Sequence, residues 1–298
     1  MESKKKVIFT KMHGAGNDYV YINALETVPD NLPLLSIQIS DRHFGVGSDG
    51  LVAIMHSDIA DFRMRMFNAD GSEAEMCGNA SRCIGKYVYE KGITDKKEIT
   101  LETLAGIKVL RLEVNDGEVS AVTVDMGEPT LLPDAIPVRS RCPESKISER
   151  EIISGREYNI TAVSMGNPHA VVFTEDLSDE MVLGHGPELE VADIFPKKAN
   201  IEFARVIDRG NIDMRVWERG SGETLACGTG ACATVVASVL NGFCDRTVHM
   251  RLLGGDLDIT WDEVTNHVLM RGPAEFVADG VYYPDSASEK GYFDNTDR

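Results

Sequence analysis

Positive charge is scarce in this sequence. Its 298 residues include 30 lysines and arginines against 48 aspartates and glutamates, which gives a formal net charge of −18 at pH 7. A field of this sign repels phosphate backbones and anionic lipids. The composition therefore argues against a nucleic-acid or membrane partner and is compatible with a small-molecule substrate.

Long apolar runs are also missing. No segment reaches the ~18 apolar residues that a membrane span needs, and the apolar stretch near the start, 7–9, is too short for a secretory signal. The six cysteines form no CxxC pair and have no HxH or HxxxH partner, so we expect neither structural zinc nor a disulfide framework. These absences predict a cytoplasmic protein with reduced thiols and no metal.

Strand-like segments dominate the chain. Fourteen short runs of aliphatic, aromatic and β-branched residues lie within 7–126 and 160–271, often joined by turn residues. Close spacing of this kind predicts a mostly antiparallel sheet. Helical periodicity predicts four helices, at 34–40, 78–91, 176–181 and 228–240. The last of these is apolar on nearly every side, which indicates a helix enclosed by sheet.

The chain repeats part of itself at an offset of 150 residues. Between 61 and 79 there are five identities in 19 positions, where average composition gives roughly one. The matches are Met64-Arg65 with Met214-Arg215, Glu73 with Glu223, and Cys77-Gly78 with Cys227-Gly228. Gly16-Asn17 matches Gly166-Asn167 at the same offset. The repeat predicts two copies of one domain that face each other.

Each copy places a Cys-Gly pair at the start of a predicted helix. The unpaired N–H groups and partial positive charge of a helix N-terminus lower the pKa of a cysteine and can bind a carboxylate. Two such helix starts, meeting at a pseudo-twofold axis, place Cys77 and Cys227 on opposite sides of one bound acid. This geometry suits inversion of an amino-acid α-carbon, where one thiolate removes a proton and the opposite thiol supplies another.

Several segments, in this order along the chain, resemble the diaminopimelate epimerase family: KMHGAGND at 11–18, GVGSDG at 45–50, FNADGSE at 67–73, CGN at 77–79, GNPH at 166–169, Asn200, ERG at 218–220 and GETLACGTGA at 222–231. The resemblance implies an α/β fold of the α+β type. Two pseudo-symmetric domains would each curl a mostly antiparallel sheet around a central buried helix. The first domain would comprise 1–127 with about 275–298, including a final strand at about 275–283, and the second 128–274.

The resemblance also implies the roles of individual residues. Cys77 and Cys227 would be the acid and base. The reacting carboxylate would be cradled by Gly78, Asn79, Gly228 and Thr229. The rest of the substrate would be held by Asn17, Asn68, Asn167, Asn200 and Arg219, with Arg219 gripping a distal carboxylate through two points. His169 and Glu218 would tune the thiols, and Glu218 could also meet an ammonium group.

The implied activity is conversion of LL-diaminopimelate to meso-diaminopimelate without a cofactor, in lysine and cell-wall precursor synthesis, by a homodimer. Three departures from the family pattern bear on this expectation. Gly50 stands where many relatives have Gln, Ala80-Ser81 where Gly-Ala is usual, and Ala278 where some relatives have a Tyr at the dimer contact.

The sequence leaves one close alternative function open and disfavours three others. A related cofactor-independent racemase would use the same thiols on a different amino acid. A thiol–disulfide redox protein is disfavoured because CxxC is absent, and a non-enzymatic amino-acid binder has no need of paired thiols. The GxGxxG pattern at 45–50 precedes an apolar strand instead of following one, so NAD binding is not expected.

Overall fold

The computed structural model describes residues 6–284, and the tail from 285, which we expect to be loosely ordered, lies outside the described residues. Within that range the helical elements are α1 Leu32–Ser40, α2 Gly78–Glu90, a π-helical turn Glu180–Gly184, α3 His185–Glu190 and α4 Gly228–Leu240. The strands are β1 Val7–Gly14, β2 Asn17–Asn23, β3 Gly50–Met55, β4 Phe62–Asn68, β5 Glu73–Ala74, β6 Glu98–Thr103, β7 Gly106–Asn115, β8 Glu118–Asp125, β9 Lys146–Ile153, β10 Arg156–Ser164, β11 Pro168–Phe173, β12 Asn200–Asp208, β13 Asn211–Glu218, β14 Gly222–Glu223, β15 Thr247–Leu252, β16 Gly255–Trp261, β17 Val268–Gly272 and β18 Glu275–Tyr282.

All fourteen predicted strands are present, and the sheet is mostly antiparallel as predicted. The parallel pairs are β2 with β3, β4 with β6, β11 with β12, and β13 with β15. Each parallel step needs a longer connection than a hairpin. The connection between β4 and β6 contains α2, and the connection between β13 and β15 contains α4.

The repeat read from the sequence is present in the strand register. Val20 lies opposite Leu51 on β2 and β3, and Ala170 lies opposite Ile201 on β11 and β12, which are the same positions shifted by 150. The register of β3 on β4 recurs in β12 on β13 with the same shift. The two halves therefore share one folding pattern.

A repeated ion pair explains two of the sequence identities. Arg65 Nε lies 2.7 Å from Glu73 Oε1, and Arg215 Nε lies 2.7 Å from Glu223 Oε1. In both pairs the second guanidinium nitrogen donates to the second carboxylate oxygen. Such two-point pairs fix geometry well, and each one braces the short hairpin that leads into a Cys-Gly helix start.

Both long helices lie inside the sheet. Helix α4 is buried along most of its length and packs on β10, β11, β12, β15, β16 and β17, as the all-apolar pattern predicts. Helix α2 packs on β1, β7 and β8. Each helix ends at a glycine with positive φ, Gly92 at 68° and Gly242 at 72°, which is the backbone that a helix C-terminus of this type requires.

The two halves are joined by strand pairing. Strand β17 pairs antiparallel with β8, and β18 pairs antiparallel with β1, so the predicted final strand does return to the first half. Helices α2 and α4 also contact each other. The division into 1–127 with 275–298 and 128–274 stays a prediction, because the hydrogen-bonded strands form one continuous network.

Two local predictions differ from the structure. The helix predicted at 176–181 is wrong in position, because Asp176 accepts from the backbone of Ser178 and the helical residues begin at Glu180. Strand β9 was not expected, since its sequence is largely charged. It pairs with β10 as an edge strand, and its fully buried Lys146 pairs with two acidic side chains on the same strand.

No helix in the described part of the chain has the length and apolar character that a membrane crossing requires. Within residues 6–284, no cluster of three or more histidine, cysteine or acidic side chains is arranged to hold a metal ion. All six cysteines are free thiols.

Candidate active site

Both predicted cysteines stand immediately before a helix. Cys77 precedes α2 and Cys227 precedes α4, each with extended backbone, at φ −137° and −115°. The backbone N–H groups of Asn79 and Ala80 act to lower the pKa of Cys77, and the N–H of Gly230 acts to lower the pKa of Cys227. Each thiol therefore lies among the unpaired N–H groups that open its own helix.

Asn79 connects the two helix starts. Its Nδ2 donates to Asn17 Oδ1 at 3.3 Å and to the carbonyl oxygen of Ala226 at 3.4 Å. Ala226 is the residue before Cys227, and the thiol of Cys77 donates to the same Asn17 Oδ1 at 3.4 Å. Asn79 is buried. One interior side chain thus links the surroundings of both thiols.

The glycines that follow the cysteines have no room for a side chain. A Cβ at Gly78 would collide with Met270 Cε, and a Cβ at Gly228 would lie 2.9 Å from Met270 Sδ. Met270 is itself fully buried on β17. A side chain at either glycine would therefore require the flexible end of Met270 to move.

The amide of Asn17 is oriented by a carboxylate. Asn17 Nδ2 donates to Asp49 Oδ2 at 2.9 Å, which leaves Oδ1 facing Cys77 and Asn79. Burial and the neighbouring Asp18 raise the pKa of Asp49. On this side of the site, Cys77 meets a side-chain acceptor.

In the second half, a longer chain of hydrogen bonds leads to the Cys227 thiol. The Cys227 sulfur lies 3.5 Å from Thr229 Oγ1, which accepts from Asn167 Nδ2 at 3.4 Å. Asn167 Oδ1 lies 2.9 Å from His169 Nε2, and His169 Nδ1 lies 2.6 Å from Glu202 Oε1. The structure therefore brings three predicted site residues into contact with Cys227, directly or through one another.

Glu218 is also close to Cys227. Its carboxylate accepts a hydrogen bond from Thr224. Burial raises the pKa of Glu218, and its interactions with Thr224 and the Cys227 thiol oppose the rise. A carboxylate so placed can either exchange a proton with the thiol or face an ammonium group.

Asn200 and Arg219 form the outer part of the site. Asn200 Nδ2 donates to the carbonyl oxygen of Pro168 at 3.1 Å, and Asn200 Oδ1 accepts from the backbone N–H of Arg219 at 2.8 Å. The guanidinium of Arg219 is exposed and donates to the carbonyl oxygen of Lys197 at 3.2 Å. Because this side chain is exposed, it is accessible to a distal carboxylate of a substrate.

Asn68 is a predicted site residue whose side chain is hydrogen-bonded within its own turn. Its Nδ2 donates to Ser72 Oγ at 2.9 Å within its own turn, and none of its hydrogen bonds in residues 6–284 reaches a thiol. Gly50 lies opposite it on β3. A Cβ at Gly50 would lie 2.8 Å from Tyr19 Cε1 and would collide with the carbonyl oxygen of Phe67, so this chain excludes a glutamine there.

The prediction of a lowered thiol pKa is wrong in direction. Burial raises the pKa of Cys77, although backbone N–H donors and the charge of Arg82 oppose the rise. Burial raises the pKa of Cys227 further, and Glu218 and Glu202 add to the rise. Removal from water therefore outweighs the helix start, and both cysteines favour the protonated thiol in the free protein.

Two buried charged residues of the site were not identified from the sequence. Glu202 is 0% exposed and holds His169. Arg82 is 0% exposed, donates to Asn79 Oδ1 at 2.9 Å and to the carbonyl oxygen of Pro273 at 3.0 Å, and so ties α2 to the segment before β18. The available signal was a charged residue inside an otherwise apolar strand or helix, which marks a paired buried charge.

The chain matches known proteins over most of its length. The family model described as diaminopimelate epimerase matches residues 9–132 and 161–277. A curated diaminopimelate epimerase of Acetivibrio thermocellus is 58% identical over 272 residues, which cover 91% of this chain and 97% of that relative. Relatives of the same name from Methanococcus maripaludis and Desulfovibrio desulfuricans are each 56% identical and are covered to 98% of their length, by 91% and 92% of this chain.

Solved structures with much lower identity share the fold. A hydroxyproline epimerase from Agrobacterium vitis, with trans-4-hydroxy-L-proline bound, has a TM-score of 0.68 at 15% identity and covers 95% of this chain and 92% of its own. A phenazine biosynthesis protein from Bacillus anthracis has a TM-score of 0.65 at 16% identity, with 93% and 99% covered. These similarities confirm the predicted fold class, and the family match and curated relatives show that the chain belongs to the diaminopimelate epimerase family.

Proposed function

We propose that this chain converts LL-diaminopimelate to meso-diaminopimelate, using Cys77 and Cys227 as a pair of acid and base and no cofactor. The observation that carries the proposal is the meeting of two Cys-Gly helix starts, bridged by Asn79. A site with one thiol from each half suits a reaction that needs a proton taken from one face of a carbon and returned to the other. The name of the relatives gives the substrate.

The reaction balances without a redox partner. One thiolate takes the α-proton, and the electron pair left on the α-carbon spreads onto the adjacent carboxylate. The opposite thiol then delivers its proton to the other face and becomes the thiolate. N–H groups at the starts of α2 and α4 are placed to stabilise the charge on that carboxylate, since helix N-termini attract anions. Reversal of the two roles gives the reverse reaction.

The outer residues supply the selection for a long substrate with a second charged end. Arg219 offers an exposed guanidinium beside Asn200, and Glu218 is placed to face an ammonium group. A racemase for proline-like substrates on the same fold has no such distal carboxylate to bind. The preference for diaminopimelate therefore depends on Arg219. A thiol–disulfide redox protein would need neither Arg219 nor Glu218.

Deuterium exchange and a substrate panel test this proposal together. In deuterated water without pyridoxal phosphate, we expect LL-diaminopimelate to gain label at the α-carbon while it is epimerised, and proline, glutamate and histidine to gain none. Mass spectrometry and chiral chromatography measure label and configuration. Activity that needs pyridoxal phosphate would contradict the cofactor-free reaction, and faster turnover of proline would favour the other racemase.

Arg219→Gln gives the matching test of substrate selection. We expect kcat/KM for LL-diaminopimelate to fall about 100-fold, because a charged partner of the distal carboxylate is lost. Steady-state assays beside the unchanged chain measure the loss. An unchanged kcat/KM would mean that the distal carboxylate binds elsewhere.

We also propose a cytoplasmic homodimer. Support comes from apolar side chains exposed on β1 and β18, where Ile8 is 70% exposed opposite Val281 and Val277 is 54% exposed. Ala278, on the same strand, is also exposed. Sedimentation equilibrium at micromolar concentration should give twice the chain mass of 32.7 kDa, and a mass of one chain would contradict the dimer.

A further inference from the structure

The pair of His169 and Glu202 lies wholly inside the protein. Both side chains are 0% exposed, and Nδ1 lies 2.6 Å from Oε1, a length typical of a charge-assisted hydrogen bond. Within residues 6–284, the other oxygen of Glu202 has no hydrogen-bond partner and no lysine or arginine pairs with it. A buried carboxylate needs a counter-charge. His169 is placed to supply it.

The second ring nitrogen of His169 also faces an acceptor. Nε2 points at Asn167 Oδ1, and this amide is held in place because its Nδ2 donates to Thr229 Oγ1. With the Asn167 amide in this orientation, both ring nitrogens of His169 face oxygen atoms. An imidazole donates from both nitrogens only when each of them carries a proton.

We propose that Glu202 is a positioning residue of the epimerase, which keeps His169 doubly protonated and thereby aims the donors of Asn167 and Thr229 toward Cys227. In this arrangement His169 donates to Asn167, and Asn167 donates to Thr229. The Thr229 hydroxyl is then free to donate to the Cys227 sulfur, 3.5 Å away. A donor to sulfur favours the thiolate, which is the form that accepts the substrate proton. This inference rests on the epimerase activity proposed above.

The first half has no histidine–carboxylate pair at the matching positions. At the offset of 150 residues, Val52 and Tyr19 occupy the positions of Glu202 and His169. Cys77 instead donates to an acceptor, Asn17 Oδ1. The pocket thus gives one thiol a donor and the other an acceptor.

The charged surroundings of His169 come from few elements. Glu202 on β12 and Glu218 on β13 face it with carboxylates, and Cys227 before α4 is reached through Asn167 and Thr229. Strand β10 contributes Val163 opposite His169, which carries no charge. Glu202 is the carboxylate in direct contact, so its removal is the sharpest change to the ring's protonation.

Glu202→Gln tests the inference because it keeps the shape and an acceptor oxygen but removes the charge. Nitrogen-15 NMR of the free protein, with the His169 signals identified by His169→Asn, should show two ring protons near neutral pH. In Glu202→Gln we expect one proton, a kcat about 10- to 100-fold lower, and an alkaline limb of the kcat profile moved to lower pH. Asn167 would then turn its amide nitrogen toward the unprotonated Nε2, and Thr229 would no longer be directed to the sulfur.

A histidine–carboxylate pair on the surface provides the matched control. His249 Nδ1 lies 2.8 Å from Asp258 Oδ1, and this carboxylate raises the pKa of His249. Asp258→Asn should lower the pKa of His249 in the same spectra and leave kcat and its pH profile unchanged. Adding Glu202→Gln to His169→Asn should cause no further loss, since Glu202 acts through the ring.

A singly protonated His169 in the unchanged protein would overturn the inference without any activity measurement. A folded Glu202→Gln protein with an unchanged spectrum and pH profile would do the same, as would additive losses in the double variant. Failure of the unchanged protein to epimerise LL-diaminopimelate would instead contradict the proposed function, and the NMR result would stand independently of it.

Discussion

Serine at position 77 or at position 227 should stop epimerisation. We expect each of Cys77→Ser and Cys227→Ser to lower kcat by roughly 10²–10⁴-fold, the size of a lost general acid or base. A hydroxyl at neutral pH can neither hold the negative charge of a thiolate nor release its proton as a thiol does. Chiral chromatography of the products measures the loss, and circular dichroism checks the fold.

Cys142→Ser is the control for these variants. Cys142 is an exposed free thiol, and its backbone N–H donates to Ser140 and Glu149. Its replacement should leave kcat unchanged. Retention of more than about a tenth of the activity by Cys77→Ser or Cys227→Ser would mean that another group carries the proton on that face.

Mild oxidation should silence the enzyme completely and reversibly. A diazene oxidant takes two hydrogens from the thiols of Cys77 and Cys227, which become a disulfide, while the diazene becomes a hydrazine. A disulfide requires Cα atoms within about 7 Å of each other, and the contact of α2 with α4 and the bridge through Asn79 favour such an approach. Dithiothreitol should restore all activity, and peptide mapping should identify the link.

The pH dependence of this oxidation follows from the raised pKa values. Burial moves the pKa of both thiols above the ordinary value of 9.0, so thiolate is a small fraction at neutral pH and its share increases as pH rises. Closure should therefore accelerate steadily with pH, up to and beyond 9. The Cys142→Ser protein should behave in the same way. Full activity after oxidation, with Cys142 the one modified residue, would argue against close approach of the two thiols.

The sequence was sufficient for most of the elements and for the two matching Cys-Gly helix starts. Alternating and helical periodicity report the face that each residue buries, which is why α4 could be predicted as a buried helix. The repeat identified Cys77 and Cys227 together, since a match at a fixed offset also fixes the corresponding positions in the two halves. Periodicity is local in the sequence, and the repeat compares the sequence with itself, so neither needs knowledge of tertiary contacts.

What the sequence could not provide depends on tertiary contacts. The direction of the thiol pKa shifts is set by burial of both sulfurs and, at Cys227, by the carboxylates of Glu218 and Glu202 on other strands. The partner of Glu202 lies 33 residues away, on a neighbouring strand. Asn68 matches the family pattern, yet its amide is bonded within its turn, and pattern alone does not distinguish these two uses.

The pairing of β8 with β17 has an evolutionary consequence. Val122 lies opposite Gly272, its own counterpart 150 residues later, so the axis that relates the halves passes between them. A residue that meets its own equivalent is the mark of a twofold subunit contact. The present chain is thus organised like two half-length ancestors fused end to end. Once joined, the copies no longer had to be identical, and a histidine with its acidic partner could arise beside one sulfur alone.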